Sequence, residues 1–459
     1  MSNDTSSTPE IPETASSGDV AWVLASTALV WVMIPGVGYF YSGMARSKNA
    51  LSLIFLSFVS AAVVSFQWWL WGFSLTFGPS PNKFIGNLDY AFFRNVNNLP
   101  SNDDTNGQKI TASSTLPVIA FALYQCMFAA ITPALAIGAA AERGRILPTI
   151  VFIFIWTTIV YDVIACWTWN VNGWSSVLGG LDFAGGTPVH IASGAAALAY
   201  SLALGKRNGH GTEEFKPHNI SNTAIGTALL WFGWFGFNGG SELAANGRAA
   251  LACVVTNLAA SVGGITWCLV DFRLERKLSV IGFCSGAVSG LVAITPGSGF
   301  VGAPAAVVFG ICAGIFCNLA VKLKHLLDFD DALDVFAVHC VGGFVGNILT
   351  GVFAQKSVIS ADGTDLPGGW IEGNWIQVPY QLAGSVAGIA YSFVITYLLL
   401  IIMNKIPGLS IRSTEEDETA GLDISEIGEL AYHHIEKLIT ANNDDDKNKE
   451  NVHKIDSNV

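Results

Sequence analysis

Long apolar stretches separated by short polar loops run from about residue 20 to residue 403. A helix needs about 20 apolar residues to cross the hydrocarbon core of a bilayer. Eleven windows meet that need: 20–42, 49–73, 114–138, 147–168, 186–205, 220–237, 249–271, 280–295, 303–322, 335–354 and 377–403. The window at 280 is short and rich in glycine and serine. Small residues recur at helical spacing inside the windows, as in Gly342, Gly343 and Gly346, or Gly384 and Gly388. They let helices approach closely where the hydrophobic effect cannot drive association. The pattern predicts an all-α polytopic membrane protein with eleven transmembrane helices.

Polar residues that interrupt these windows carry the chemistry. Of eight histidines, only His190 and His339 lie within predicted spans. Each follows an aspartate by eight residues, Asp182 and Asp331 respectively. An ionisable side chain at membrane depth faces a bundle interior or a pore. Two of them at matching places in two halves of a chain point to a substrate pathway at a pseudo-symmetry axis. Asp162 lies inside the fourth window, where an acid must be paired, pore-facing or near the headgroups. Trp167 marks the interface soon after it, so the headgroup position is expected.

Composition agrees with a membrane body: 51% of residues are hydrophobic and 13% charged, against roughly 25% charged in a soluble domain. The net charge of −12 belongs mostly to the ends. Residues 1–19 carry four acids and no base, and residues 404–459 carry thirteen acids against six bases. Nothing here suits nucleic acid. One set of alternate loops holds twelve basic residues, including Arg46, Lys48, Arg143, Arg145, Lys206 and Arg207; the other holds five. Positive loops stay inside, so the N-terminus is expected outside and the C-terminus in the cytoplasm. The leader has no basic n-region, so a cleaved signal peptide is not expected.

Four segments follow: an extracellular polar leader at 1–19, a membrane domain at 20–403, a cytoplasmic regulatory tail at 404–439 and a disordered distal tail at 440–459. Leu422, Ile424, Ile427, Leu430, Ile435 and Leu438 are spaced apolar residues that could dock the proximal tail as short helices. The distal tail has almost nothing to bury. Ser413 and Thr414 precede an acidic run suited to an acidophilic kinase. Asn3 heads a glycosylation sequon on the expected outer side; Asn219 heads another, on the expected inner side, where it would not be used. All eight cysteines fall in predicted spans without a CxxC pair, so buried thiols are expected rather than structural disulfides.

Two aromatic sets sit near the expected outer helix ends, and a third lies within the third span. WTWNVNGW at 167–174 lies beside Asp182. An interfacial tryptophan belt is the common explanation; an aromatic face beside a carboxylate also attracts a small cation. WFGFNGGSE at 234–242 offers Phe237, Ser241 and Glu242, and YQCMF ends at Phe128. An isolated phenylalanine in a span is usually packing, and these two gain interest only from their neighbours.

At this point the chain resembles the Amt/Mep/Rh ammonium transporters. DFAGGTPVHIASGAAALAYSLALGKR at 182–207 fits the family signature, and DDALDVFAVHCVGGFVGNILTGVFA at 330–354 matches the second histidine segment. KPHN at 216–219, WFGFNGGS at 234–241 and AERGR at 141–145 match too, over about residues 20–430. WTWNVNGW and the EEDETAGLDISEIGELAYH tail are similar to the eukaryotic Mep-type branch. The resemblance implies two inverted five-helix repeats plus one extra helix, a homotrimer with one pore per subunit, and a multi-pass plasma-membrane protein of nitrogen uptake. It implies an outer ammonium recruitment site at Trp169, Asp182 and Ser241, with Asp182 supporting it from behind. It implies a gate of stacked rings at Phe128 and Phe237, and twin histidines, His190 and His339, lining an apolar pore. Asp162 and Glu242 depart from the family pattern.

The expected function is electrogenic uptake: an outer site recruits ammonium, ammonia crosses the pore, and the histidines relay the proton. A passive ammonia or carbon dioxide channel of the Rh type and an ammonium sensor are the alternatives. No nucleophile–base pair, metal cluster or GxxxxGK[ST] loop appears in the sequence, so no enzyme, no cofactor and no direct ATP coupling are expected. The expected partners are ammonium or ammonia, the bilayer, further copies of the chain and a kinase acting on the tail.

Overall fold

The computed structural model describes residues 15–79, 82–96 and 115–432. Asn3, Ile435, Leu438 and the distal tail lie outside the described residues. Among these residues the chain is helical, and its extended pairing is a single bridge between Gly144 and Arg412. Ten helices are long and apolar enough to cross a membrane: α1 (Ser17–Met44), α2 (Ser47–Phe77), α3 (Val118–Ala140), α4 (Ile146–Leu178, turning at Asn170), α5 (Gly186–Leu204), α7 (Gly247–Glu275), α8 (Val280–Gly297), α9 (Ala303–Leu326), α10 (Phe336–Phe353) and α11 (Gln377–Met403). The expected span at 220–237 is also a helix, α6 (Ile220–Gly239). Its asparagine, tryptophan and glycine content keeps it out of that hydropathy class, so the structure gives ten clear spanning helices where eleven are expected.

α5 and α10 are built alike. Each opens with a π-helical turn, Gly186–Ile191 and Phe336–Val341, and each turn carries a histidine. Each is preceded by an aspartate that caps it. Asp182 Oδ1 accepts from the Gly185 and Gly186 N–H groups at 2.9 and 2.7 Å, and Oδ2 from Thr187 N–H at 2.6 Å. Asp331 Oδ2 accepts from Phe336 N–H at 2.7 Å. A carboxylate there satisfies orphan amides and complements the positive end of the helix dipole. The two run in opposite directions, because the Arg207 guanidinium after the end of α5 pairs with Asp330 before the start of α10.

Glycine sets how closely α5 and α10 cross. A Cβ on Gly194 would strike the backbone nitrogen of Cys340. A Cβ on Gly343 would lie 2.8 Å from the Gly186 carbonyl oxygen and 3.1 Å from His190 Cβ. The contacts are to backbone, which cannot swing aside.

Asp162 does not face the headgroups. It is fully buried. Its Oδ2 accepts from the Gln67 amide at 2.7 Å, and that amide also reaches Thr158 Oγ1 at 3.0 Å. π-Turns at Trp68–Gly72 in α2 and Thr157–Tyr161 in α4 flank the contact. The partner that makes a buried acid tolerable comes from another helix, and a one-helix reading cannot see it.

The tail docks on the loops at the Asp331 end. Arg145 N–H donates to Ile411 C=O, and Ser413 N–H to Arg143 C=O, both at 3.0 Å. Thr414 caps a short helix, α12 (Glu415–Ala420). Buried Glu418 accepts from Asn208 N–H and Arg412. Buried Asp423 accepts from the Leu51 and Ser52 N–H groups at the start of α2, a cap supplied from some 370 residues away in sequence. Burial raises the Asp423 carboxyl against those bonds. Glu426 pairs with Arg145 at 3.0 Å. Of the other bases on these loops, Lys48 meets the carbonyls of Glu418 and Thr419, while Arg46 and Arg143 serve Glu142 and Asp330.

Gly194→Ala tests the helix crossing. Overpacking of this kind costs about 1–3 kcal/mol and pushes α5 off α10. The expected outcome is a lower melting temperature in detergent with transport reduced beyond the loss of protein. An unchanged melting point and rate would mean the crossing has slack.

Candidate functional site

A single line of side chains runs from the Asp182 end of the bundle into its centre. Trp169 begins it, at the last turn before α4 bends at Asn170. Its indole N–H donates to the Asp182 carbonyl at 3.0 Å. Phe128 of α3 meets the Trp169 ring edge-on, with centroids 5.9 Å apart. Phe128 and Phe237 follow as overlapping rings, 4.2 Å apart and tilted by 34°. His190 lies beneath Phe237, 6.0 Å away and stacked, and is also stacked on Trp234 at 5.5 Å. His339 comes next: the two imidazoles are 5.3 Å apart, with Nδ1 to Nδ1 at 3.2 Å.

That last distance constrains protons. One Nδ1 must donate and the other accept. Two neutral rings joined in this way are opposite tautomers, one protonated at Nδ1 and one at Nε2. His190 Nε2 is buried with no protein partner. Beside it lies a narrow cavity of about 20 Å³ whose other walls are apolar, among them Ile131, Leu230, Val288 and Val338. The pair therefore presents a polar edge to an otherwise apolar passage.

Above the rings opens a wide chamber of about 820 Å³, lined by Trp169, Asp182, Ser241 and Glu242 among others. Ser241 Oγ donates to the Phe237 carbonyl at 2.8 Å and lies 3.3 Å from the Tyr124 hydroxyl. Tyr124 holds the carbonyls of Gly236 and Phe237 at 2.8 and 2.9 Å. Asp182 uses its oxygens on three backbone amides, so it supports the floor of the chamber from behind. Burial raises its carboxyl, and those three N–H groups offset only part of the rise.

The sequence-expected residues Phe128, Trp169, Asp182, His190, Phe237, Ser241 and His339 are thus brought together. Ser413 and Thr414 sit at the far face: Ser413 is buried with its hydroxyl on the Arg143 carbonyl, and Thr414 is exposed. Asn219 caps α6 through its side chain. Three participants escaped notice. Tyr124 stands one turn before Phe128, and that spacing was the available signal. Trp234 stacks on His190 from the quoted aromatic motif. Asn347 donates to Thr187 Oγ1 and Ser385 Oγ, a link between α5, α10 and α11 without a sequence signature.

Known proteins resemble this chain in sequence and fold. The model of the Ammonium Transporter Family matches residues 21–432. Ammonium transporter 1 of Schizosaccharomyces pombe is 57% identical over 420 residues, covering 91% of this chain and 83% of the relative. Ammonium transporter MEP2 of Saccharomyces cerevisiae is 47% identical over 424 residues, covering 90% and 83%. The crystal structure of Candida albicans Mep2 superposes with a TM-score of 0.82 at 49% identity, covering 88% of each chain.

Proposed function

Because the chain belongs to the Ammonium Transporter Family, we propose that this multi-span membrane protein, a plasma-membrane ammonium transporter, separates its substrate into ammonia and a proton that cross by adjoining routes. The observation that carries this reading is the Nδ1–Nδ1 contact of His190 and His339 beside an apolar passage.

Ammonium and potassium are alike in size and charge, so a cation site at the mouth cannot separate them. Ammonium differs in two ways: it donates hydrogen bonds, and it can lose a proton. The mouth uses the first property. The Trp169 face offers cation–π attraction, and Ser241 Oγ offers an acceptor. The passage uses the second. A charge at membrane depth costs roughly 3 kcal/mol on insertion scales and over 10 in simulation, so a potassium ion stops at the Phe128–Phe237 rings. Ammonia continues.

The histidines carry what ammonia leaves behind. A proton arriving at one Nε2 pushes the shared proton across the Nδ1–Nδ1 bond, and the other ring releases its own Nε2 proton. Each passage reverses the two tautomers, which must reset before the next. Imidazole suits this because it gains and loses protons near neutral pH, and the coupled rings titrate as a pair. Net charge crosses, so transport is electrogenic. A passive Rh-type channel would move ammonia without current.

With the basic loops read as cytoplasmic, the Asp331 end faces the cytoplasm and the Trp169 mouth faces outside. Exposed apolar residues along α7, α9 and α11, such as Leu269, Phe316 and Leu398, serve lipid and the neighbouring copies of a homotrimer. The tail at 404–439 is a regulatory strap, through Asp423 on α2 and Glu426 on Arg145. A kinase reaches Thr414 in the docked state, and Ser413 only after release.

His190→Ala or His339→Ala is expected to abolish ammonium-evoked current in proteoliposomes, or to admit potassium. Wild-type current and selectivity in both variants would end the relay reading.

Trp169→Leu and Ser241→Ala should raise the apparent KM more than they lower the maximal rate. A cation–π contact contributes about 0.5–2 kcal/mol, so each change costs up to about thirtyfold in affinity. Asp182→Asn should do worse, since it removes a charge and disturbs three amide bonds. Uptake at low ammonium that matches the wild type would remove the mouth from the mechanism.

Deleting residues 412–459 is expected to change the transport rate without unfolding the bundle, and Asp423→Ala to reproduce part of that change. Deleting 440–459 should do little. Equal rates in all three at equal surface expression would show that the strap regulates nothing.

A further inference from the structure

Beside Ser241 the chamber wall carries a charged group that the transport reading leaves idle. The Glu242 side chain is 2% exposed and faces Arg248 at 3.5 Å. Its Oε1 accepts from the Asn246 amide at 2.8 Å. Arg248 is shared. Its Nη1 binds Asp362 Oδ2 at 2.6 Å, and its Nε donates to the Gly299 carbonyl at 2.8 Å. Its guanidinium also lies over the Phe183 and Phe300 rings, at 5.3 and 5.4 Å. One cation therefore ties together the turn that holds Ser241, the loop after Asp182 and the loop that holds Asp362.

The charges do not balance. Asp182, Glu242 and Asp362 face the chamber with Arg248 as the one base among its described lining residues. With every group ionised those four sum to −2; with Glu242 protonated they sum to −1. We propose that Glu242 is an affinity-setting carboxylate of the mouth, ionised to strengthen ammonium recruitment and protonated to weaken it, with Arg248 and Asp362 setting the pH of the change. This rests on the reading of the mouth as the recruitment site. Glu242 does not touch the cation. It acts through its field and through the turn that carries Ser241.

The surroundings place the change where cells encounter it. Burial pushes the Glu242 carboxyl up; Arg248 and Asn246 pull it down; Asp362 pushes it up again, and it comes to about 7. Asp362 itself stays below its ordinary range, since bonds to Thr364 and Arg248 outweigh its burial. Arg248 thus favours Asp362, and Glu242 is the member of the pair that takes the proton. The sign follows. Above about pH 7 the mouth gains a negative charge and holds ammonium more tightly; below it that charge is lost. One charge at about 10 Å from the cation, at an effective dielectric between about 20 and 80, changes affinity about two- to fifteenfold.

The test is the apparent KM for ammonium of the full-length protein in proteoliposomes, across external pH from about 5.5 to 8. In the wild type KM should rise as pH falls through about 7. Glu242→Gln should show the high KM throughout, with the break gone. Asp362→Asn leaves Arg248 wholly to Glu242, so its break should move to lower pH. Trp169→Leu should raise KM at every pH and keep the break. The relay histidines act on the rate, which separates their titration from this one. Should Glu242→Gln keep the wild-type KM profile while Trp169→Leu raises KM, the proposal falls and the mouth stands. If Trp169→Leu leaves KM unchanged, the mouth reading falls and takes the proposal with it. Where Glu242→Gln does not yield folded protein, Asp362→Asn decides: a break that does not move overturns the proposal.

Discussion

A charge cannot rest cheaply in a dry passage, and the rest of this structure answers to that constraint. A dry, apolar passage would stop an ion that cannot shed its charge. It also makes a second route necessary if charge is to cross. The hydrogen bond between His190 and His339, 3.2 Å between Nδ1 atoms, is where the two requirements meet. It places proton-accepting groups in an apolar wall without a permanent charge there.

Such a bond between two rings on two helices needs positioning. A shift of an ångström would part the nitrogens, and a rotated ring would aim a carbon at its partner. Glycine at 194 and 343 brings the backbones together. The π-turns at 186–191 and 336–341 rotate each imidazole inward from an otherwise ordinary helix. Asp182 and Asp331 fix the starts of those turns by capping them. Trp234 and Phe237 stack on His190 and limit its rotation. Each device is local, and together they leave the pair little freedom. The same Asp182 lines the wide chamber, so the chamber and the histidine pair share one anchor.

Much of this was legible in the sequence because it depends on spacing along one chain. Apolar length marks the spans, and the Asp–His interval of eight residues marks the two equivalent helices. What depends on contact between helices was not legible. Asp162 reads as an interfacial acid until Gln67 is seen donating to it. The tail's acids suggest attraction to basic loops in general, but Asp423 bonds backbone amides of α2, and no charge pattern announces an amide. Arg248 and Asp362 lie 114 residues apart, in loops whose sequences say only that they are polar.

The ends of the bundle differ in a way that suits their tasks. At the tail-bearing face Arg143 and Arg207 converge on Asp330, and Arg46 and Arg207 on Glu142. There the charges are nearly matched and largely buried, which makes a rigid platform with little net field. At the mouth the balance is left uneven, with carboxylates in excess around a broad chamber. An uneven balance is costly for folding, because Glu242 is desolvated with only a share of one guanidinium. The same unevenness gives the chamber beside Trp169 and Ser241 a negative field that favours any cation. Stability at this face is thus traded for field, and at the opposite face field is traded for stability.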